Sequence, residues 1–152
     1  RMPERKYEVC DIHGLLADSV RLFDQERNIR FDIHLETGKP TIMADKEELR
    51  RVFINILRNA VQAITGGGEI HVKTLMTDGQ LEIVVADTGR GIPDEIKARL
   101  FEPNFSTKSE GMGLGLAISK QTIVDLNGRI DIESEVGKGT RVIIVLPATL
   151  AS

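Results

Sequence analysis

Ile29, Phe31, Ile33 and Leu35 alternate strictly with Arg30, Asp32, His34 and Glu36, a period of two that predicts a strand with one buried face. Gly38 and Pro40 end it. Two more alternating runs, around Ile70–Val72 and around Leu81, Ile83 and Val85, meet at Asp78-Gly79, a hairpin signal. Ile130 and Ile132 mark a further strand, and Val142, Ile144 and Leu146 another, with Gly137-Lys-Gly139 turning between them. Helical spacing takes over elsewhere. Leu15, Leu16, Val20 and Phe23 follow Asp11, a candidate N-cap. Leu49, Val52, Phe53, Ile56, Leu57, Ala60 and Ile64 form a wide apolar stripe behind Asp45, with Glu47 and Glu48 favourably placed in the first turn. Gly66-Gly-Gly68 closes that helix. A short helical piece follows Pro93, and a last helix is expected from Gly113 to Asn127 with Gly128 as its stop. The stretch from Phe101 to Gly111 has no clear period and is the longest irregular region, a candidate lid. The expected fold class is α+β: a two-layer sandwich of one mixed, mostly antiparallel sheet covered on one face by about three helices.

At 152 residues the chain reads as one domain. Residues 1–6, polar and containing Pro3, read as a linker remnant, and residues 7–152 as the domain itself. A hydrophobic share of 41%, a charged share of 28% and a net charge of -3 suit a globular protein and give no support for a nucleic-acid partner. No apolar run approaches the roughly 20 residues that span a bilayer, so a cytoplasmic domain is expected. Cys10 is the lone cysteine, which excludes an internal disulfide. His13, His34 and His71 are scattered, with no metal-ligand spacing among them.

Four segments carry candidate chemistry. Asn55 and Asn59 share a helix face beside the apolar stripe. They are either solvated asparagines or amide oxygens offered to magnesium, which prefers hard oxygen ligands. Asp87 ends an apolar strand and opens Asp87-Thr-Gly-Arg-Gly-Ile-Pro93. It is either the head of a tight turn or an acceptor for a planar amine, with Gly89 and Gly91 permitting close approach. Gly111, Gly113 and Gly115 precede a helix, where backbone amides and the helix dipole favour an anion; a structural glycine turn is the alternative. The spacing fits neither a P-loop nor a dinucleotide fingerprint. Lys108 lies three residues before those glycines, either solvated or within reach of a terminal phosphate. Phe101 and Phe105 bracket the irregular stretch as packing hinges or stacking rings.

With Phe101-Glu-Pro-Asn-Phe-Ser-Thr-Lys108 and Gly111-Met-Gly-Leu-Gly-Leu116, these boxes in this order resemble the catalytic ATP-binding domain of bacterial sensor histidine kinases. That domain belongs to the GHKL superfamily with DNA gyrase, the Hsp90 chaperones and the MutL repair ATPases. The likeness runs from about Tyr7 to Pro147, and Ile56-Leu-Arg-Asn-Ala-Val-Gln-Ala-Ile64 looks most like the nitrogen-regulation subgroup. The resemblance implies ATP and magnesium as cofactors, with Asn59 as metal ligand and Asp87 as acceptor of the adenine amine. It implies that Gly89 and Gly91 shape the adenine pocket and that Ala63 and Ile92 line it. Thr107, Lys108, Gly111, Gly113, Leu114, Gly115 and Leu116 would serve the phosphates, and Thr140 would support the adenine end. Many members place Lys and an aromatic residue three and four positions after the metal-binding Asn; here Gln62 and Ala63 stand there.

Position 55 separates reaction classes. GHKL ATPases and the anti-sigma-factor serine kinases resemble one another in carrying Glu there, a base for water or serine; this chain has Asn55. A neutral imidazole, with pKa about 6.5, needs no base near pH 7, so Asn55 fits histidine as acceptor; with Lys108, which the resemblance implies at the γ-phosphate, it is a candidate catalytic residue of a histidine kinase. None of the three histidines is followed by an acidic residue, so the acceptor is expected on a dimerisation domain of the same protein that is absent from this chain. Also implied are a response-regulator receiver domain as partner, a homodimeric intact protein with the fragment compatible with a monomer, and a parent compatible with an inner-membrane anchor. An ATP hydrolase and a non-catalytic nucleotide-binding module remain as alternatives.

Overall fold

The structure is a computed structural model that describes residues 4–26, 28–103, 105 and 115–151. Its centre is helix α2 (Lys46–Ala63), which buries Leu49, Val52, Phe53, Ile56, Leu57, Ala60 and Ala63. The helix starts where it does because Asp45, in an extended conformation, accepts the amides of Glu47 and Glu48 at 3.0 and 3.2 Å. The same carboxylate accepts the Lys6 amide, and these donors hold its pKa below the ordinary value. Truncating a side chain as deeply buried as Phe53 would cost about 3–5 kcal/mol.

Helices α1 (Ile12–Arg21) and α4 (Leu116–Asp125) flank α2, and α3 (Asp94–Lys97) is a single turn behind Pro93. Asp11 caps α1 through the Gly14 amide at 3.0 Å, as its position before the apolar periodicity predicts. The helices pack on a five-stranded sheet of β2 (Ile29–His34), β4 (Gly68–Thr77), β5 (Gln80–Asp87), β7 (Gly139–Pro147) and β6 (Arg129–Glu135), in that order. The β2–β4 pair is parallel and the others antiparallel, so the sheet is mixed and mostly antiparallel as expected. Asp78 and Gly79, at φ 50 and 76°, make the left-handed two-residue turn of the β4–β5 hairpin.

Three expectations are corrected. The chain forms two sheets, not one: β1 (Tyr7–Asp11), β3 (Pro40–Asp45) and β8 (Thr149–Leu150) make a separate three-stranded antiparallel sheet. Its strands are short, and residues more than 30 positions apart pair in it, so no local periodicity announces them. The last described helix spans Leu116–Asp125 rather than starting at Gly113, which lies outside the described residues. Its left-handed stop is Asn127 at φ 64°, with the Asn127 and Gly128 amides returning to Val124 and Ile123 carbonyls at 2.9 Å each. Gly128 is required for a different reason: a Cβ there would collide with the Val145 carbonyl oxygen. Among the described residues no helix is long and apolar enough to cross a membrane.

Candidate functional site

A narrow slot opens between α2 and the inner faces of β5, β7 and β6. Inward positions of the helix stripe, Ile56, Ala60 and Ala63, form one wall. Val85, Val142 and Ile132, inward positions of three neighbouring strands, form the other. Ile92 and Leu116 bound the slot, so its lining is almost wholly apolar. Three polar residues enter it: Asp87, Asn59 and Thr140.

Asp87 sits at the end of β5, in register with Thr140 of β7, and is only 9% exposed. Its Oδ1 accepts the Gly89 amide at 2.8 Å, and the backbone of Thr140 also donates to the carboxylate. Burial outweighs both donors and pushes its pKa up to about 6. A carboxylate in an apolar slot, with two donors already satisfied, offers an acceptor to a flat ligand that brings an amine.

The glycines of this region form the structure around the slot rather than its lining. A Cβ on Gly89 would stand 2.5 Å from the Ala63 carbonyl oxygen, because the Arg90 amide returns to that same carbonyl at 3.0 Å. Gly91 has φ 76°, and a side chain there would run into the Glu135 backbone. These contacts dock the turn after β5 onto the end of α2 and onto the β6–β7 hairpin.

Asn55 and Asn59 separate in role. Asn59 lines the cavity. Asn55 instead donates from Nδ2 to the Gly115 carbonyl and to Ser119 Oγ, at 3.2 Å each, tying α2 to the first turn of α4. Gly115 precedes α4 at φ 44°, with no atom of the described residues within 4 Å of where its Cβ would be. Phe101 and Phe105 lie under Lys120 and Arg99, 4.8 and 4.7 Å from the charged groups. Thr107, Lys108, Gly111, Gly113 and Leu114 lie outside the described residues.

Of the sequence candidates, the structure brings Asn59, Ala63, Asp87, Ile92, Leu116 and Thr140 together around the cavity. Sequence reading takes Ile56, Ala60, Val85, Ile132 and Val142 for core alone or passes over them; the inward register that buries them also makes them walls. Ser134 goes unnoticed too. It occupies the inward phase of β6 after Ile130 and Ile132, and a serine in that phase is the signal.

The model of the histidine kinase-, DNA gyrase B-, and HSP90-like ATPase family matches residues 44–150. The sensor histidine kinase ZraS of Klebsiella oxytoca is 36% identical over 146 residues, covering 93% of this chain and 32% of that protein. This chain therefore spans about a third of the length of that relative. Full-length ShkA, solved in complex with AMPPNP, superposes with a TM-score of 0.82 at 30% identity, over 100% of this chain and 33% of that one. Histidine kinase ThkA, solved in complex with response regulator protein TrrA, gives 0.78 at 26% identity, over 94% of this chain and 42% of that one. With its mixed sheet, helical layer and carboxylate-floored slot, the chain belongs to the histidine kinase-, DNA gyrase B- and HSP90-like ATPase family.

Proposed function

We propose that this chain binds ATP with magnesium and is the catalytic domain of a sensor histidine kinase, donating the γ-phosphate to a histidine on a dimerisation domain outside this chain. The observation that carries the reading is one buried carboxylate, Asp87, sharing a mostly apolar slot with one amide, Asn59, and one hydroxyl, Thr140. The slot buries the faces of the purine while Asp87 accepts its exocyclic amine, the step that orients the nucleotide. Asn59 extends the site along α2 toward the phosphates, where its amide oxygen suits a magnesium ion. Among the described residues no group of three His, Cys, Asp or Glu side chains is arranged to hold a metal unaided. Asn59 would hold the magnesium ion, whose chemistry there would be neutralisation of charge on the phosphoryl oxygens.

Gly115 and Leu116 present backbone amides at the start of α4, the dipole end that favours phosphate. Lys108, with Thr107, Gly111, Gly113 and Leu114, completes that end in this proposal. Asn55 has an amide committed to Gly115 and Ser119, and an amide takes no proton from water. An imidazole acceptor needs no such base, and this supports histidine over water. The ThkA–TrrA complex supports a response-regulator receiver domain as the next acceptor, and the intact protein is proposed to be a homodimer.

Calorimetry with Mg-ATP on this chain and on Asp87→Asn tests the slot, and phosphotransfer to an added histidine-bearing dimerisation domain tests the kinase. Micromolar-range binding that Asp87→Asn weakens, followed by acid-labile label on the added domain, is the expected result. Steady phosphate release without an acceptor would favour a hydrolase. Binding with no transfer would favour a conformational module, and no binding by the folded chain would sink the ATP reading.

A further inference from the structure

Ser134 lies beside the slot, and its hydroxyl joins two residues that line it. Oγ accepts the Ile92 amide at 2.8 Å, stands 2.8 Å from Thr140 Oγ1, and lies 3.1 Å from the Gly139 carbonyl oxygen. Its own carbonyl accepts Lys97 Nζ at 3.3 Å, which pins this part of β6 to α3. Ile92 bounds the slot, and Thr140 sits opposite Asp87 in the β5–β7 register.

A serine hydroxyl has one proton to give. With the Ile92 amide already donating to it, the Ser134–Thr140 contact runs in one of two senses, since either oxygen can be the donor. When Ser134 donates to the Gly139 carbonyl, Thr140 donates to Ser134 and its proton points away from the slot. When Ser134 donates to Thr140, the Thr140 proton is released toward the slot, next to the Asp87 carboxylate.

We infer that Ser134 is a positioning residue that sets base specificity, by holding the Thr140 hydroxyl so that a donor stands beside the Asp87 acceptor. This rests on the ATP reading above and names what that site selects. Adenine presents an amine beside an unprotonated ring nitrogen, which matches acceptor and donor in turn. Guanine presents a carbonyl and an N–H at the corresponding places, so its carbonyl faces the carboxylate. Buried polar mismatches are the strongest discriminators a small site has.

The test is calorimetry with Mg-ATP and Mg-GTP on the whole chain, Ser134→Ala and Ser134→Thr, each checked for folding by thermal melting. Ser134→Ala is expected to lower the ATP-to-GTP affinity ratio about tenfold, and Ser134→Thr to restore it. Should Ser134→Ala not fold, Thr140→Val is expected to lower the ratio as much, with Ser134→Thr retaining the parent's ratio. Parallel losses for both nucleotides, or a ratio that no variant moves while the parent binds ATP, would overturn this inference and leave the ATP reading standing. A folded parent that binds no ATP would remove both.

Discussion

Two sets of glycines frame the candidate site, and they are there for opposite reasons. At the Asp87 end, Gly89, Gly91 and Gly139 are pressed against neighbouring backbone: Ala63, Glu135 and the Asp87 carbonyl respectively would each collide with an added Cβ. At the α4 end, Gly115 has no atom of the described residues within 4 Å of that position and is distinguished by its φ of 44°. The first set removes volume so that three backbone segments can meet. The second supplies a conformation. One end of the slot is therefore fixed by packing before any ligand arrives, whereas the helix end rests on Gly115 and on the Asn55 tie.

That contrast is open to test, beginning with its largest consequence. Gly91→Ala combines a backbone clash with a positive φ and is expected to destabilise by about 3 kcal/mol or more. The readout is a melting temperature lower by about 10 °C. A Gly91→Ala protein as stable as Gly115→Ala would erase the distinction between the two ends.

Asp87→Asn comes next, and its sign reveals a site that holds strain. The folded carboxyl titrates at about 6, against about 3.9 in the unfolded chain, so between these values the folded state holds the proton more tightly. Its stability contribution is complete below about pH 4 and is lost as pH rises through 6, a difference of about 3 kcal/mol at neutral pH. Asp87→Asn removes the buried charge, so the variant should match the parent near pH 4 and exceed its stability above pH 7 in denaturant titrations. The same variant should bind nucleotide about 1–3 kcal/mol more weakly. Greater stability with poorer binding would mark Asp87 as kept for function. Equal pH profiles for the two proteins would instead show that the carboxylate is not strained.

The helix end should respond more mildly. Gly115→Ala meets no atom of the described residues and is expected to cost about 1–2 kcal/mol from its φ, read by chemical denaturation. Asn55→Ala removes the tie to Gly115 and Ser119 and should cost about 1 kcal/mol or less. Because Asn55 does not line the slot, a loss of nucleoside affinity as large as that of Asp87→Asn would mean that the two ends are coupled more tightly than the contacts indicate.

Local physics made much of this molecule readable from its residues. Asp11 and Asp45 cap helices because a carboxylate before an apolar stripe has nearby amides to accept. Asp78-Gly79 turns a hairpin because both positions tolerate positive φ between alternating runs. The family resemblance, carried by ordered boxes each ambiguous alone, implied a shared pocket for Asn59, Asp87 and Thr140, and all three line the slot. Tertiary structure alone decided the rest. Pairing of β1 with β3 joins residues such as Tyr7 and Asp45, and no window of sequence contains both. Asn127, not Gly128, takes the left-handed turn, and Gly128 instead passes too close to the Val145 carbonyl to carry a side chain. Ser134 gains its partners only when β6 lies against β7 and the turn through Ile92 closes over it. A chain specifies through periodicity which faces are buried; which neighbour each buried face meets, and so which polar group finds a partner, is settled by contacts distant in sequence.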